Sequence, residues 1–184
     1  MTVTGLDIQI RRPLADGQVF GDAGRYEEIR GVIRFAVDPR HLANQRVTDI
    51  ALAPRNPDGR ITFESDIVIL RPVDAARGSR RILFDVLNRG KRLALSYFNN
   101  AEREVIEPGT PADTPLDVGN GYLMREGWTI VWTGWQADAP PWPALRRLKA
   151  PEALDDDGER ESAGAARVAA EPESDEPAGE RGGE

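Results

Sequence analysis

The sequence predicts a mixed α/β, strand-rich fold, on three observations. Alternating apolar and polar residues through the first 75 positions read as successive antiparallel strands with tight connections. Two nearly continuous apolar runs follow, residues 82–88 and 128–135, each ending in a polar, glycine-marked break. Between them lies one stretch with room for a helix and a long loop, the grammar of a parallel strand, crossover, strand unit.

Taken in order, residues 6–10 alternate with period two, as a half-buried strand does, and Pro13 ends them. After the turn-rich segment 16–24 comes a longer strand over 26–37, carried by Ile29, Val32, Ile33, Phe35 and Val37, with Gly31 marking a bulge or bend. Residues 47–53 form a third strand candidate, and Asn56-Pro57-Asp58-Gly59 is a turn signal. A strand over 61–73 ends at Pro72. The runs 82–87 and 128–132 lack polar alternation, which fits strands covered on both faces. Between them a short helix is expected at 93–100, a proline-rich loop at 107–115 and a helix over 118–126 that stops at Gly127.

At 184 residues the chain is long enough for one domain with a real core, placed at 1–150. The formal charge of −7 is unevenly distributed: residues 151–184 hold twelve acids and three arginines, a net of −9, which leaves +2 for residues 1–150. In that tail Leu154 and Val168 are the only large apolar residues, too few to offset the entropy of ordering it, so disorder is expected, with a fraying helix at 163–170. Arginine outnumbers lysine 22 to 2, which admits phosphate or carboxylate recognition by the guanidinium fork. The arginines are scattered, however, and codon usage in a GC-rich genome accounts for them together with the abundant Ala, Gly and Pro. The acidic tail and the lack of a basic, aromatic-interleaved surface exclude nucleic acid as the expected partner. With no cysteine there is neither a disulfide framework nor a thiolate metal site. Neither a signal peptide nor a membrane-spanning stretch is read, so no membrane partner is expected and the expected location is cytoplasmic.

Two constellations sit at the ends of the apolar runs. In Asn88-Arg89-Gly90, backbone N–H groups of a glycine turn at the end of a parallel strand could face a ligand and stabilise an oxyanion, which makes Arg89 and Gly90 oxyanion-like. The alternative is an ordinary turn in which Gly90 supplies positive φ. In Gly134-Trp135-Gln136-Ala137-Asp138, the residues Trp135, Gln136 and Asp138, together with Asn88, could line a pocket. Equally, a polar loop could follow core aromatics, a packing role that suits Trp128, Trp132 and Trp142.

The run 24–27 with Gly31, Val37-Asp38-Pro39, Asn44, Thr48-Asp49-Ile50 and Ala53-Pro54-Arg55-Asn56 resembles the N-terminal region of a bacterial family of α/β-hydrolase domain proteins. The resemblance continues through Arg71-Pro72, Asp85-Val86-Leu87-Asn88-Arg89-Gly90, Gly119-Asn120-Gly121, Leu123, Gly127-Trp128 and Trp132-Thr133-Gly134-Trp135-Gln136 to Asp138, covering residues 20–140. It implies a partial hydrolase-like sheet, with 82–88 and 128–135 as its third and fourth strands, and Arg89 and Gly90 where an oxyanion loop sits. It also implies ester or amide hydrolysis through a serine in a Gly-x-Ser-Gln-Ser-Gly-Arg elbow.

No Gly-x-Ser-x-Gly occurs in this sequence, and Ser65, Ser79, Ser96, Ser162 and Ser174 have the wrong neighbours for such an elbow. The family's later acid and histidine are absent as well. The single histidine, His41, reads as a surface or loop-packing residue. No catalytic residue is therefore assigned. Asp155-Asp156-Asp157-Gly158 is a poor calcium loop, since Ala153 and Gly164 fall where ligands belong. Neither a metal nor a cofactor is expected, and no phosphate-cradling or dinucleotide motif is complete.

These readings combine into the N-terminal portion of a hydrolase-like protein, inactive alone, whose expected partner is a completing chain or a second copy of itself. The alternative is a non-catalytic β-rich binding or interaction module.

Overall fold

The computed structural model describes residues 1–154. The predicted helix at 163–170, the Asp155-Asp156-Asp157-Gly158 run and all but the first four residues of the acidic tail lie outside the described residues. Among those four, Leu154 donates its N–H to Leu52 O at 3.0 Å.

Three long strands make the frame: β1 (Thr2–Pro13), β3 (Gly24–Val37) and β4 (Ile61–Pro72), with the two-residue β2 (Val19–Phe20) folded back on the start of β3. On the far side of β4 lie β6 (Thr129–Thr133) and, outermost, β5 (Ile82–Phe84), while β7 (Leu148–Lys149) pairs with the other end of β4. The order is β1-β3-β4-β6-β5, antiparallel at every junction except β5 with β6, which is parallel as the two apolar runs predict.

Period-two alternation decides which side chains form the core. Tyr26 on β3, Val68 and Leu70 on β4, and Ile130 and Trp132 on β6 point to one face and are fully buried. Leu87, Leu95, Leu123 and Met124, from the β5–β6 crossover, cover them. Each such side chain contributes about 1.5–3 kcal/mol by leaving water. Asn99 ties the covering layer together from within. Its side-chain amide donates to Val118 O at 2.9 Å and its carbonyl accepts the Leu123 N–H at 2.9 Å.

Gly31 is where a bend is expected, but the extra residue lies opposite it. Ile8 pairs with Gly31 and Ile10 with Arg30, so β1 carries the bulge at Gln9. A Cβ on Gly31 would lie 2.1 Å from Asp7 O, so only glycine lets the bulged strand approach this closely. The turn at Asn56 is as read: Asn56 Oδ1 accepts from the N–H of Asp58 and of Arg60, and Gly59 has φ +72°.

The mixed α/β expectation is corrected by this architecture. The described residues form a strand-rich mixed sheet with only two short α-helices, α1 (Ala94–Phe98) and α2 (Tyr122–Arg125). The crossover is mostly loop for a local reason. Pro108, Pro111 and Pro115 cannot donate to a helix, and Gly119, Gly121 and Gly127 all adopt positive φ. Residues 47–53 are not a strand either: residues 38–60 form a long loop in place of a tight connection, with Asp49 at φ +56° opening a short 3-10 turn.

A second correction concerns coverage. The run 82–87 was expected to be covered on both faces, yet Ile82 is 66% exposed and Phe84 53%, because the crossover covers only the face that carries Leu83 and Ile130. With Leu6 and Ile8, also exposed, Ile82 edges an open groove of about 550 Å³ across the opposite face. Among the described residues no helix is long and apolar enough to cross a membrane.

Candidate functional site

Asp85, the first residue after β5, organises the strand-end loop. Its Oδ2 accepts the N–H of Leu93 at 3.0 Å, that of Ala94 at 2.8 Å and the Trp132 indole N–H at 2.6 Å. One carboxylate oxygen thus folds the chain back toward the start of α1 and fixes it against β6. Within that loop Asn88 and Lys91 exchange backbone hydrogen bonds at 3.2 and 3.0 Å, closing a tight turn with Arg89 at φ +48° and Gly90 at φ +84°.

The loop after β6 reaches the same place. Trp135 Nε1 donates to Leu87 O at 2.6 Å, and Gln136 Oε1 accepts the Arg89 N–H at 2.8 Å. The Arg89 guanidinium donates to Asp138 Oδ2 at 3.1 Å and to Asp138 O at 3.2 Å. Asn88, Arg89, Gly90, Trp135, Gln136 and Asp138 are therefore brought together at the ends of a parallel pair.

Their chemistry is that of a closed clasp. The Arg89 N–H, the donor an oxyanion would need, is taken by Gln136. Gly90 is buried under the segment that leads into β7: a Cβ there would lie 2.9 Å from Leu145 Cβ, and Gly90 O accepts the Arg146 N–H at 3.2 Å. None of the six residues lines the cavities of about 670 and 600 Å³ found elsewhere on the sheet.

The serine hydroxyls among the described residues are similarly engaged. Ser65 Oγ donates to Gly134 O at 2.6 Å, Ser79 Oγ to Gly127 O at 3.0 Å and Ser96 Oγ to Leu93 O at 2.9 Å. His41 Nδ1 accepts from the Ala43 N–H at 3.2 Å on an exposed turn. No serine is placed against the histidine, so among the described residues there is no nucleophile–base pair.

Below the clasp lies a cluster that the sequence reading missed. Glu28 and Arg30, both on the core face of β3, are buried and form an ion pair, and Arg12 bonds the other Glu28 oxygen at 2.8 Å. The same arginines pin the proline-rich loop. Arg12 donates to Asp113 O at 2.8 Å, Arg30 to Ala112 O and to Thr114 O, and Arg146 to Ala112 O at 2.9 Å. Arg92, also buried, forms an ion pair with Glu104. Alternation along β3 carries the missed signal: Glu28 and Arg30 share the parity of Tyr26 and Val32, which puts two charges in the core row.

No protein-family model matches the chain, and searches of curated proteins and of solved structures return no significant match.

Proposed function

We propose that this chain is the non-catalytic N-terminal portion of a protein of the hydrolase family its sequence resembles, with nucleophile, acid and base supplied by further polypeptide. The observation that carries the reading is the open parallel edge. Among the described residues β5 pairs on one side only, through three residues, and presents Ile82 and Phe84 to solvent with Val86 just beyond. Parallel strands are stable where both faces are covered, so this edge asks for a further strand and a covering layer. Among the described residues the serines donate to backbone carbonyls and His41 accepts from the Ala43 N–H, which supports a part that performs no hydrolysis.

The edge is tested with the Phe84→Lys variant, by light scattering after size exclusion. The expected result is a self-associating parent chain and a variant shifted toward monomer. The catalytic half is tested by incubating the full chain with p-nitrophenyl acetate and a fluorophosphonate probe. Neither turnover nor labelling is expected, and turnover abolished by the probe would overturn the reading.

A second reading, a β-rich interaction module, is favoured by one specific feature, the self-closed clasp of Arg89, Gln136 and Asp138. A monomeric parent chain that melts cooperatively would put that reading first.

A further inference from the structure

Buried ion pairs are tolerated when charges and hydrogen bonds balance, and the cluster below the clasp does not balance. Arg12, Arg30, Arg92 and Arg146 face two carboxylates, Glu28 and Glu104. The other carboxylate that acts on Arg146 is Asp66, which is engaged by Lys149 Nζ at 3.1 Å and by the Arg147 N–H at 3.0 Å. Arg146, 8% exposed, has no carboxylate within ion-pair distance among the described residues.

Among the described residues two donors in this cluster are buried without a partner, Arg92 Nη1 and Arg146 Nε. An unmade hydrogen bond from a buried charged group is among the costlier defects a fold can carry. Beside them lies a partly enclosed cavity of about 170 Å³ whose walls include Arg30, Arg92, Arg103, Glu104 and Ala112. Ala112 O accepts from both Arg30 and Arg146, so it joins the cavity wall to the remaining arginine. The acids on this wall are already engaged or in solvent. Glu104 holds Arg92, Asp117 accepts the N–H groups of Glu102 and Gly119, and the Glu102 residue is exposed.

We propose that this cavity is a binding site for a small oxyanion, held by Arg92 and Arg30, which line it, with Arg146 behind them across Ala112 O. Planar guanidinium groups match the paired oxygens of phosphate and carboxylate alike, so the shared chemistry is an oxygen anion that accepts several N–H bonds at once. Independent support comes from the charge state of Arg146, whose pKa is drawn down to about 10 by burial first and then by Arg92 and Arg30. An anion seated beside them would relieve Arg146 and Arg30. The site is separate from the β5 edge, and it holds whether or not the hydrolase reading does.

The test is isothermal titration calorimetry of the full chain with inorganic phosphate, and separately with acetate, at fixed ionic strength made up with chloride. Saturable one-to-one binding of either anion is expected, and which of the two saturates identifies a phosphate or a carboxylate ligand. Arg92→Met is expected to weaken that binding about tenfold or more, as loss of a charged hydrogen-bond donor should. Arg34→Met, in an exposed network on the same sheet, is expected to leave it unchanged. Should Arg92→Met fail to fold, Arg92→Lys keeps the charge and removes the fork, and the same loss is expected of it. Absence of saturable binding by the parent chain, or binding that survives Arg92→Met or Arg92→Lys intact, would overturn the site.

Discussion

The ladder of β3 on β4 and the edge of β5 on β6 belong to one sheet and are closed in opposite ways. Along the first, pairing runs unbroken from Tyr26 opposite Pro72 to Val37 opposite Ile61, with Phe35 and Phe63 stacked at 4.8 Å between ring centroids. Along the second it covers three residues, and the outward side chains are apolar and wet. An unbroken ladder of twelve paired positions makes the antiparallel part self-sufficient. The parallel part depends on a single wall, formed by Trp132, Ile130 and the crossover packed on them.

That dependence gives the largest expected effect. Trp132 is fully buried and its indole N–H is one of three donors to Asp85 Oδ2. Trp132→Ala is expected to cost about 3–5 kcal/mol, read as a lower urea midpoint at unchanged slope. Phe84→Ala, one strand away but exposed, is expected to stay within about 0.5 kcal/mol when both variants are measured at a dilution that keeps the chain monomeric. Equal effects would mean that the edge is covered in solution.

Charges sharpen the same contrast, because Glu27 and Glu28 are neighbours on β3 that point to opposite faces. Glu28 lies in the core row with Arg30, and both are nearly inaccessible. Glu28→Gln would leave a buried guanidinium without its counter-charge, an expected loss of about 3–5 kcal/mol in equilibrium unfolding. A loss below about 1 kcal/mol would mean that water reaches this row.

Glycine at the clasp is the next smaller effect. Gly17 and Gly90 share nearly the same φ, +82° and +84°, but nothing lies near a Cβ at Gly17, whereas Leu145 Cβ is 2.9 Å from one at Gly90. Gly17→Ala isolates the backbone strain, about 1–2 kcal/mol. Gly90→Ala is expected to exceed it, and thermal melts of the two variants measure the difference. Identical melts would mean that the segment around Leu145 yields freely.

What the sequence made legible follows from this contrast. Alternation fixes a strand with one wet face, so β1, β3 and β4 were readable, as were the Asn56 turn and the parallel sense of β5 and β6. A run such as Ile82-Leu83-Phe84 announces apolarity but not what covers it, and two-sided cover was the wrong inference. The six clasp residues were named in two constellations, one at the end of each apolar run, and their meeting in the fold was not legible. That the Arg89 N–H is occupied depends on the Gln136 side chain, 47 positions along the chain, and no local pattern encodes such a meeting. The arginine cluster was passed over because its members, from Arg12 to Arg146, are scattered in sequence and gathered only by the fold.

The smallest expected effect is the most specific to one side of the sheet. Glu27 accepts from Arg11 Nε at 2.7 Å and from Arg71 Nε at 2.8 Å, a bridge from β1 across β3 to β4. Hydrogen bonding from Arg11, with Arg71 adding to it against the opposing effect of burial, holds the Glu27 carboxyl below its ordinary pKa. A carboxylate depressed in the folded state contributes stability that is fully present above the unfolded value, about 4.3, and is lost as pH falls through the lower folded value. Acid unfolding of the parent chain is therefore expected to steepen below about pH 4.3. Glu27→Gln should flatten that limb while changing the neutral-pH midpoint far less than Glu28→Gln, because Arg11 and Arg71 both reach solvent. If Glu27→Gln retains the parent's acid slope, the bridge contributes nothing and the antiparallel ladder is held by its core row alone.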